Sequence, residues 1–595
     1  MSKIGFWLQN AAPYSPKERD FEAINACYGV TSIRQSDLLL IYKFPNVRFG
    51  DAPTGTMRFG EPSTPTAGVT PSDPTGVIQC HTVALSTKKK KGDKDGSPAP
   101  KVPYIGKPNA GEGEDPNQTE DCLFLDIYLP ASLFANGTTP SASVPVVVWF
   151  YGGAFVEGSK DGPDPNNPLY TGVGAVNAAK ALGEDVVFVA GNYRLGAFGW
   201  LAGQYMETAG APNAGLHDQR FLLEWVQTYI GQVGGDNSSS PAYEIMWDRT
   251  GTLNQTYENF VGSAVPGCTS RDINCVRELG LDDQALINAN ADLVNTYYNT
   301  GVFPVGPAVD GILINRLPVN EFATNSYWQG LKSLIVSHVE DESGIFVPSI
   351  TDDSGFTSFV SNFMPQSSLS SVRSAIMSAY PSSSYPDAPK ARASAVIRDS
   401  SFTCNVQQLF DAYGGTADTY VLKYDVTPKS GLFTIPADHG TDLLPTFWNG
   451  EVDFAKFLAS VANKISPIPI PPFFLNGFSK FYAAFSPKFQ AYLVSFAISG
   501  NPNSLASENP FWPTATADGS SIGNVLQAQA TPTDTQFTVI VDEINTSGLC
   551  SFWKTLAAEI DTTTTTTTVA AVQTPPPFVP SQDVLGGEAD RDELK

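Results

Sequence analysis

Positive charge, long apolar runs and histidine are all in short supply in this chain, and each shortage excludes something. Lys and Arg number 36 against 60 Asp and Glu, a formal net charge of −24. That charge repels nucleic acid and anionic membrane at long range, so neither is expected as a partner. No apolar stretch nears the ~18 residues of a membrane helix. Leu38-Leu39-Leu40-Ile41-Tyr42 is only strand-sized, and no transmembrane segment is predicted. The N-terminal residues do not show the basic, then apolar, then small-residue order of a secretory signal. No Cys or His spacing suits a metal and no glycine-rich loop suits a phosphate, so neither metal nor cofactor is expected. Only four histidines exist, His81, His217, His338 and His439, which makes the search for a general base short.

What is present suffices for a large core: 595 residues, 42% hydrophobic and 11% aromatic. Residues 1–35 lack periodicity and are read as an irregular extension containing Cys27. Residues 557–595 carry the threonines from Thr562 to Thr568 and then Pro575-Pro576-Pro577, a composition that buries no core and is expected to be disordered. Residues 36–556 between them form one domain. Within it, Lys88 to Lys91 opens a polar, solvated insert that runs to Pro116. Val144 to Phe150 enters Gly152-Gly153, and Asp185 to Ala190 enters Gly191-Asn192. Both are read as buried parallel strands. Residues 216–232 place Leu222, Trp225, Val226 and Tyr229 on one helical face with Phe221 at its margin. Leu334 to Ser337 is a further strand running into an acidic loop. Strands alternating with an amphipathic crossover helix predict an α/β fold with a doubly wound sheet. Seven cysteines and five Asn-x-Ser/Thr sites, at Asn117, Asn136, Asn237, Asn254 and Asn545, suit a glycoprotein of the secretory pathway.

Two segments suggest chemistry. At Tyr151-Gly152-Gly153-Ala154-Phe155 a strand ends in a double-glycine turn, which allows backbone N–H groups to converge as in an oxyanion hole, although such a turn is also common with no catalytic part. His439 lies in Ala437-Asp438-His439-Gly440-Thr441-Asp442, a loop without helical or strand period, where a base could reach a substrate. His217 sits beside Asp218 on the crossover helix and is read as a packed or half-exposed histidine.

Glu120-Asp121-Cys122-Leu123-Phe124-Leu125-Asp126-Ile127-Tyr128-Leu129-Pro130 resembles the signature of the type-B carboxylesterase/lipase family, and specifically its fungal-type members. The resemblance spans roughly residues 40–555. It takes in Met57-Arg58-Phe59-Gly60-Glu61-Pro62, Asn192-Tyr193-Arg194-Leu195-Gly196-Ala197-Phe198-Gly199, Asn213-Ala214-Gly215-Leu216-His217-Asp218-Gln219, Pro307-Ala308-Val309-Asp310-Gly311 and Gly500-Asn501-Pro502-Asn503. It implies an α/β-hydrolase fold, a large central and mostly parallel sheet flanked by helices. It also implies ester hydrolysis by Ser-His-Glu acyl transfer on a small-molecule or lipid ester. Carried over residue by residue, the acid is Glu342, the base His439, and the oxyanion donors the amides of Gly153 and Ala154. The structural ion pairs are Arg58 with Glu120 and Arg194 with Asp218. The bridges are Cys80 with Cys122, Cys268 with Cys275, and Cys404 with Cys550, and they imply an extracellular protein.

The nucleophile departs from the pattern. The family's serine sits in Gly-x-Ser-x-Gly between a strand and a helix, ahead of the acid and the histidine in chain order. Here Gly234-Gly235-Asp236 should lead into that strand, yet from Ser240-Pro241-Ala242-Tyr243 onward the chain resembles a segment that the family places after the elbow helix. A strand, a turn and a helix need about 20 residues; only Asn237 to Ser239 are available. Ser240 has no flanking glycine and precedes Pro241, which favours extended backbone, and it is rejected. Ser521, in Gly519-Ser520-Ser521-Ile522-Gly523, fits the motif as a string but follows His439 with no strand entering it, and is rejected too. The expectation is an esterase lineage lacking its elbow strand and helix, inactive as it stands. The alternatives are an adhesion or interaction protein on the same scaffold and a hydrolase with another nucleophile. Substrate preference and oligomeric state are not encoded legibly.

Overall fold

The computed structural model describes residues 31–34, 40–65, 77–83, 117–134, 143–162, 169–230, 235–236, 248, 251–268, 272–298, 304–344, 346–430, 433–450, 476–530, 535–544 and 548–564. Cys27, the lysine-rich insert, Asn136, Asn237, Ser240 and Asn545 lie outside them. Thirteen strands are described: β1 (Thr31–Arg34), β2 (Leu40–Arg48), β3 (Phe124–Pro130), β4 (Val144–Trp149), β5 (Val187–Gly191), β6 (Gly235–Asp236), β7 (Ser333–Val339), β8 (Asp418–Val426), β9 (Lys429–Ser430), β10 (Phe433–Thr434), β11 (Thr516–Asp518), β12 (Ser521–Ala530) and β13 (Thr535–Asp542).

Apart from the small β9–β10 hairpin, they form two sheets. The first has the order β1-β2-β3-β5-β4-β6, and the second β11-β12-β8-β7 with β13 also on β12. The parallel pairs are β5–β4 and β4–β6 in the first sheet and β7–β8 and β8–β12 in the second. The other pairs are antiparallel. The adjacent parallel strands β5 and β4 differ in burial. All of β5 is buried, as its apolar run Val187 to Ala190 predicts for a strand with neighbours on both sides. In β4 only Val144 and Val147 are buried; Val146, Val148 and Trp149 are half-buried. Among the described residues, β4 meets β6 at two positions only, Val144 with Gly235 and Pro145 with Asp236.

Three expectations need correction. The sheet begins inside residues 1–35, since Thr31 to Arg34 pairs antiparallel with Lys43 to Leu40. The domain also runs past 556. The helix Leu549–Thr564 extends into the threonine run because Leu556, Ala557 and Ile560 on one of its faces are buried, with Trp553, in a second core around Cys404 and Cys550. On the crossover helix, found at Ala214–Tyr229, Tyr229 is 41% exposed. Leu222 and Val226 are buried as expected and Trp225 is half-buried, and the buried stripe also takes in Gly215, Asp218 and Gln219. The polar Asp218 belongs to it because Arg194 neutralises it there.

Both expected ion pairs are present and buried. Arg58 grips Glu120 with two bonds of 2.6 and 2.7 Å and donates to the carbonyls of Val276 and Gly280. Arg194 grips Asp218 with bonds of 2.8 and 2.7 Å and reaches the carbonyl of Gly60. All three disulfides join the cysteines that the resemblance implied. Of the glycosylation sequons, Asn254 is buried and accepts a bond from the Tyr205 amide, so it is closed to modification in the folded chain. Because Ile560 fills the second core, Ile560→Ala is expected to cost about 2–5 kcal/mol. A lower urea midpoint for the variant checks this, and an unchanged midpoint would return the helix to the tail.

Candidate active site

The parallel register of β7 and β8 sends their C-terminal loops out over the same rim of the second sheet. An isolated bridge then draws the two loops together: the Asp341 amide donates to the Ala437 carbonyl at 3.0 Å, and the His439 amide to the Asp341 carbonyl at 2.9 Å. Asp341 also turns its own loop, its carboxylate accepting from the amides of Ser343 and Gly344. Those backbone bonds bring Glu342 and His439 side by side, with His439 Nδ1 hydrogen-bonded to Glu342 Oε2.

Glu342 is 3% exposed, and its second oxygen accepts from the Val339 amide at 2.8 Å. Burial opposes its ionisation, yet the bond and charge of His439 and the Val339 amide outweigh burial and hold its carboxyl below the ordinary glutamate value. The His439 ring is walled by Phe346 and Phe402, each with its centroid at 5.2 Å. Burial raises the carboxyl of neighbouring Asp438, and the charge of Asp341 adds to that.

The double-glycine turn is held from several sides. Gly153 has φ +144, and a Cβ there would sit 1.9 Å from the Glu157 carbonyl oxygen, so only glycine fits. Ala154 and Phe155 follow at φ 53 and 63, two successive left-handed residues. Such backbone is stored strain of order 1 kcal/mol or more per residue and needs external support. That support comes first from Tyr151 and Tyr193, whose rings stack at 4.5 Å and whose hydroxyls each bond the other's carbonyl. The Gly196 amide adds a bond to the Phe155 carbonyl. Beyond the turn, Lys160 is clamped between Asp126 and Asp161, and Lys43 reaches Asp126 as well. Burial works against the Asp126 charge, but Lys160 and Lys43 hold its carboxyl at about 2. The turn and the histidine loop also share a neighbour. Tyr170 has its hydroxyl pushed well up by burial and, further, by the charges of Glu157 and Asp442.

The remaining predicted residues fall away from this pair. Ser521 opens β12 opposite Asp518 across a hairpin turn, so a strand follows it and another antiparallel strand precedes it, where an elbow joins a strand to a helix. His217 lies on the crossover helix. Burial keeps its imidazole below the ordinary value despite the charges of Glu61 and Asp218. His81 is buried against Asp282 and Phe198. Sequence reasoning missed the Val339 amide, the Asp341 turn and the Asp126–Lys160 cluster. The alternation of Lys43, Asp126 and Tyr128 within otherwise apolar strands was the available signal for the last of these.

A model of the carboxylesterase family matches residues 29–239 and 259–546. The chain belongs to the carboxylesterase family. A secreted lipase of Arthroderma benhamiae is similar at 29% identity over 516 residues, 78% of this chain and 89% of the relative. Carboxylesterase patB of Penicillium expansum is 26% identical over 525 residues, 78% of this chain and 84% of its own. Lipase 1 of Geotrichum candidum reaches 47% over 120 residues, 20% of this chain and 19% of its own. The crystal structure of Aspergillus niger EstA superposes with a TM-score of 0.62 at 21% identity, covering 90% of this chain and 99% of that one. That likeness establishes the α/β-hydrolase fold. Among the described residues no helix is long and apolar enough to cross a membrane.

The lowered Glu342 carboxyl carries a signed consequence for stability. A folded value below the unfolded one adds stability above the ordinary glutamate range near 4.5, and that stability is lost as pH falls through the lowered value. Glu342→Gln is therefore expected to show a smaller drop in urea midpoint than the native chain between about pH 6 and about pH 3. Parallel losses in the two proteins would show that Glu342 is not ionised and paired in the fold.

Proposed function

We propose that this carboxylesterase-family chain retains the acid, the base and the oxyanion turn of a Ser-His-Glu esterase or lipase but lacks the serine, and is inactive in this form. The observation that carries the reading is the Glu342–His439 pair. A buried carboxylate bonded to Nδ1 fixes the ring's tautomer and stabilises its protonated form, the task of the acid in such a triad. Gly153 and Ala154 are the oxyanion donors in this reading, and the strained turn that holds them is the kind of backbone found at catalytic sites. A complete form would take a small-molecule or lipid ester, with His439 as base and then acid.

One observation favours loss of the nucleophile: only Asn237 to Ser239 separate Asp236 from Ser240, too few for a strand, a turn and a helix. The family match is interrupted in the same region, between 239 and 259. The named relatives are lipases and carboxylesterases, which favours a hydrolase lineage over an adhesion role. Three disulfides suit an oxidising compartment, and with the secreted relative they support an extracellular protein.

Two experiments test this. The purified chain is expected to leave p-nitrophenyl esters untouched and to take up no fluorophosphonate; a mapped serine adduct lost in His439→Ala would overturn the inactivity. Inserting a strand–Gly-x-Ser-x-Gly–helix segment of about 20 residues between Asp236 and Ser240 is expected to create turnover. His439→Ala should then reduce that turnover by about 10⁴-fold or more.

A further inference from the structure

A second imidazole–carboxylate pair stands directly behind the first. His338, on β7 and 6% exposed, places Nε2 at 2.6 Å from Asp542 Oδ2 at the end of β13. Its Nδ1 lies 3.2 Å from the Val339 carbonyl oxygen. A carbonyl and a carboxylate both accept only, so both bonds form together only when both ring nitrogens carry hydrogen. The neighbouring residue then makes the connection onward, since the Val339 amide donates to Glu342 Oε1 at 2.8 Å and Glu342 Oε2 takes the His439 Nδ1 hydrogen. An unbroken relay results, from Asp542 through His338 and the Val339 backbone to Glu342 and His439.

We propose that His338 is a positioning residue, an imidazolium that clamps the end of β7 so that the Val339 amide aims Glu342 at His439, and that releases this aim when it deprotonates. The role rests on reading Glu342 and His439 as acid and base. The charged groups facing the ring are Asp542 from β13, Glu342 from the loop after β7, and Lys423 from β8. Lys423 is itself held at 2.7 Å by Glu340 and lies 4.0 Å from Asp542. Burial works against a charged ring, but the Asp542 bond and charge, joined by the charge of Glu342, outweigh burial and raise His338 above the ordinary imidazole value. With the folded value raised, the clamp is complete below the ordinary value near 6.5 and opens as pH rises through the raised one. The ordering of Glu342 therefore fails on the alkaline side, separately from any titration of His439. Neutral His338 keeps only one of its two bonds: Nε2–H stays on the Asp542 carboxylate, and the bond from Nδ1 to the Val339 carbonyl, which holds the peptide that aims Glu342, is lost.

With only four histidines, selective ¹⁵N-histidine labelling of the full chain resolves the question by NMR. Native His338 is expected to show two protonated nitrogens at neutral pH. Its titration midpoint should lie above the ordinary imidazole value, and the His439 Nδ1–H resonance should move with that same midpoint. Asp542→Asn keeps a hydrogen-bonding side chain but removes the charge. It is expected to lower the His338 midpoint by about one unit or more and to carry the His439 inflection down with it. A single neutral tautomer for His338 at neutral pH overturns the inference. So does a His439 Nδ1–H that is bonded to Glu342 yet does not respond as His338 titrates. If His439 shows no bond to Glu342 at any pH, the esterase reading falls as well, so the two failures are distinguishable.

Discussion

Every buried peptide group in a sheet must find a partner, and in this molecule that requirement bears hardest on one strand, β4. Its sequence, Val-Pro-Val-Val-Val-Trp, is written for burial on both faces and pairing on both edges. On one edge β5 supplies a full parallel partner. On the other, the described partner is β6, two residues long. Among the described residues, Val146, Val148 and Trp149 are half-buried and the strands divide into two sheets. The strands that carry the turn and the acid lie on opposite sides of that division, each with its own set of neighbours.

Legibility in the sequence followed the range of the interaction. β4, β5 and β7 were found because each is a short apolar run ending in a turn signal, a purely local pattern. The acid, the base, the oxyanion turn, the ion pairs and the disulfides came from motif resemblance; spacing alone would not have paired Cys404 with Cys550 across 146 residues. What escaped notice was decided by tertiary contact. Tyr229 has the right helical period but is exposed, while the next residue, Ile230, is buried. The threonine-rich tail looked unable to pack. Its first turn is nonetheless helical, as a continuation of a helix anchored by Trp553, whose indole donates to the Tyr380 hydroxyl. The role of His338 had no local mark at all, since Asp542 lies 204 residues away.

Buried charge is distributed in a way that bears on function. In Arg58–Glu120, Arg194–Asp218, Lys160–Asp126 and His338–Asp542, at least one partner lies at a strand end or in a loop next to one. Desolvation cancels much of the Coulomb gain in such pairs, so net stability is a poor reason for so many. Geometry is a better one. Arg58 and Arg194 each fix carbonyls of a distant loop as well as their carboxylate, and the Lys160 cluster fixes the segment that leaves the double-glycine turn. These are the parts of an active site that must keep position to within a fraction of an ångström.

None of those clamps touches the β4–β6 edge. The frame around Glu342 and His439 is therefore held by contacts away from that edge. A scaffold organised this way loses chemistry before it loses architecture. The histidine loop is bridged to the acid loop through backbone at Asp341 and Ala437, and the acid is aimed by Val339 on β7, whose neighbour β8 is complete. The His439 imidazole is thereby hydrogen-bonded to Glu342 and held in orientation. Under the proposed reading, supplying a hydroxyl within its reach is a problem of filling one sheet position, since the pair that would activate it is already in contact.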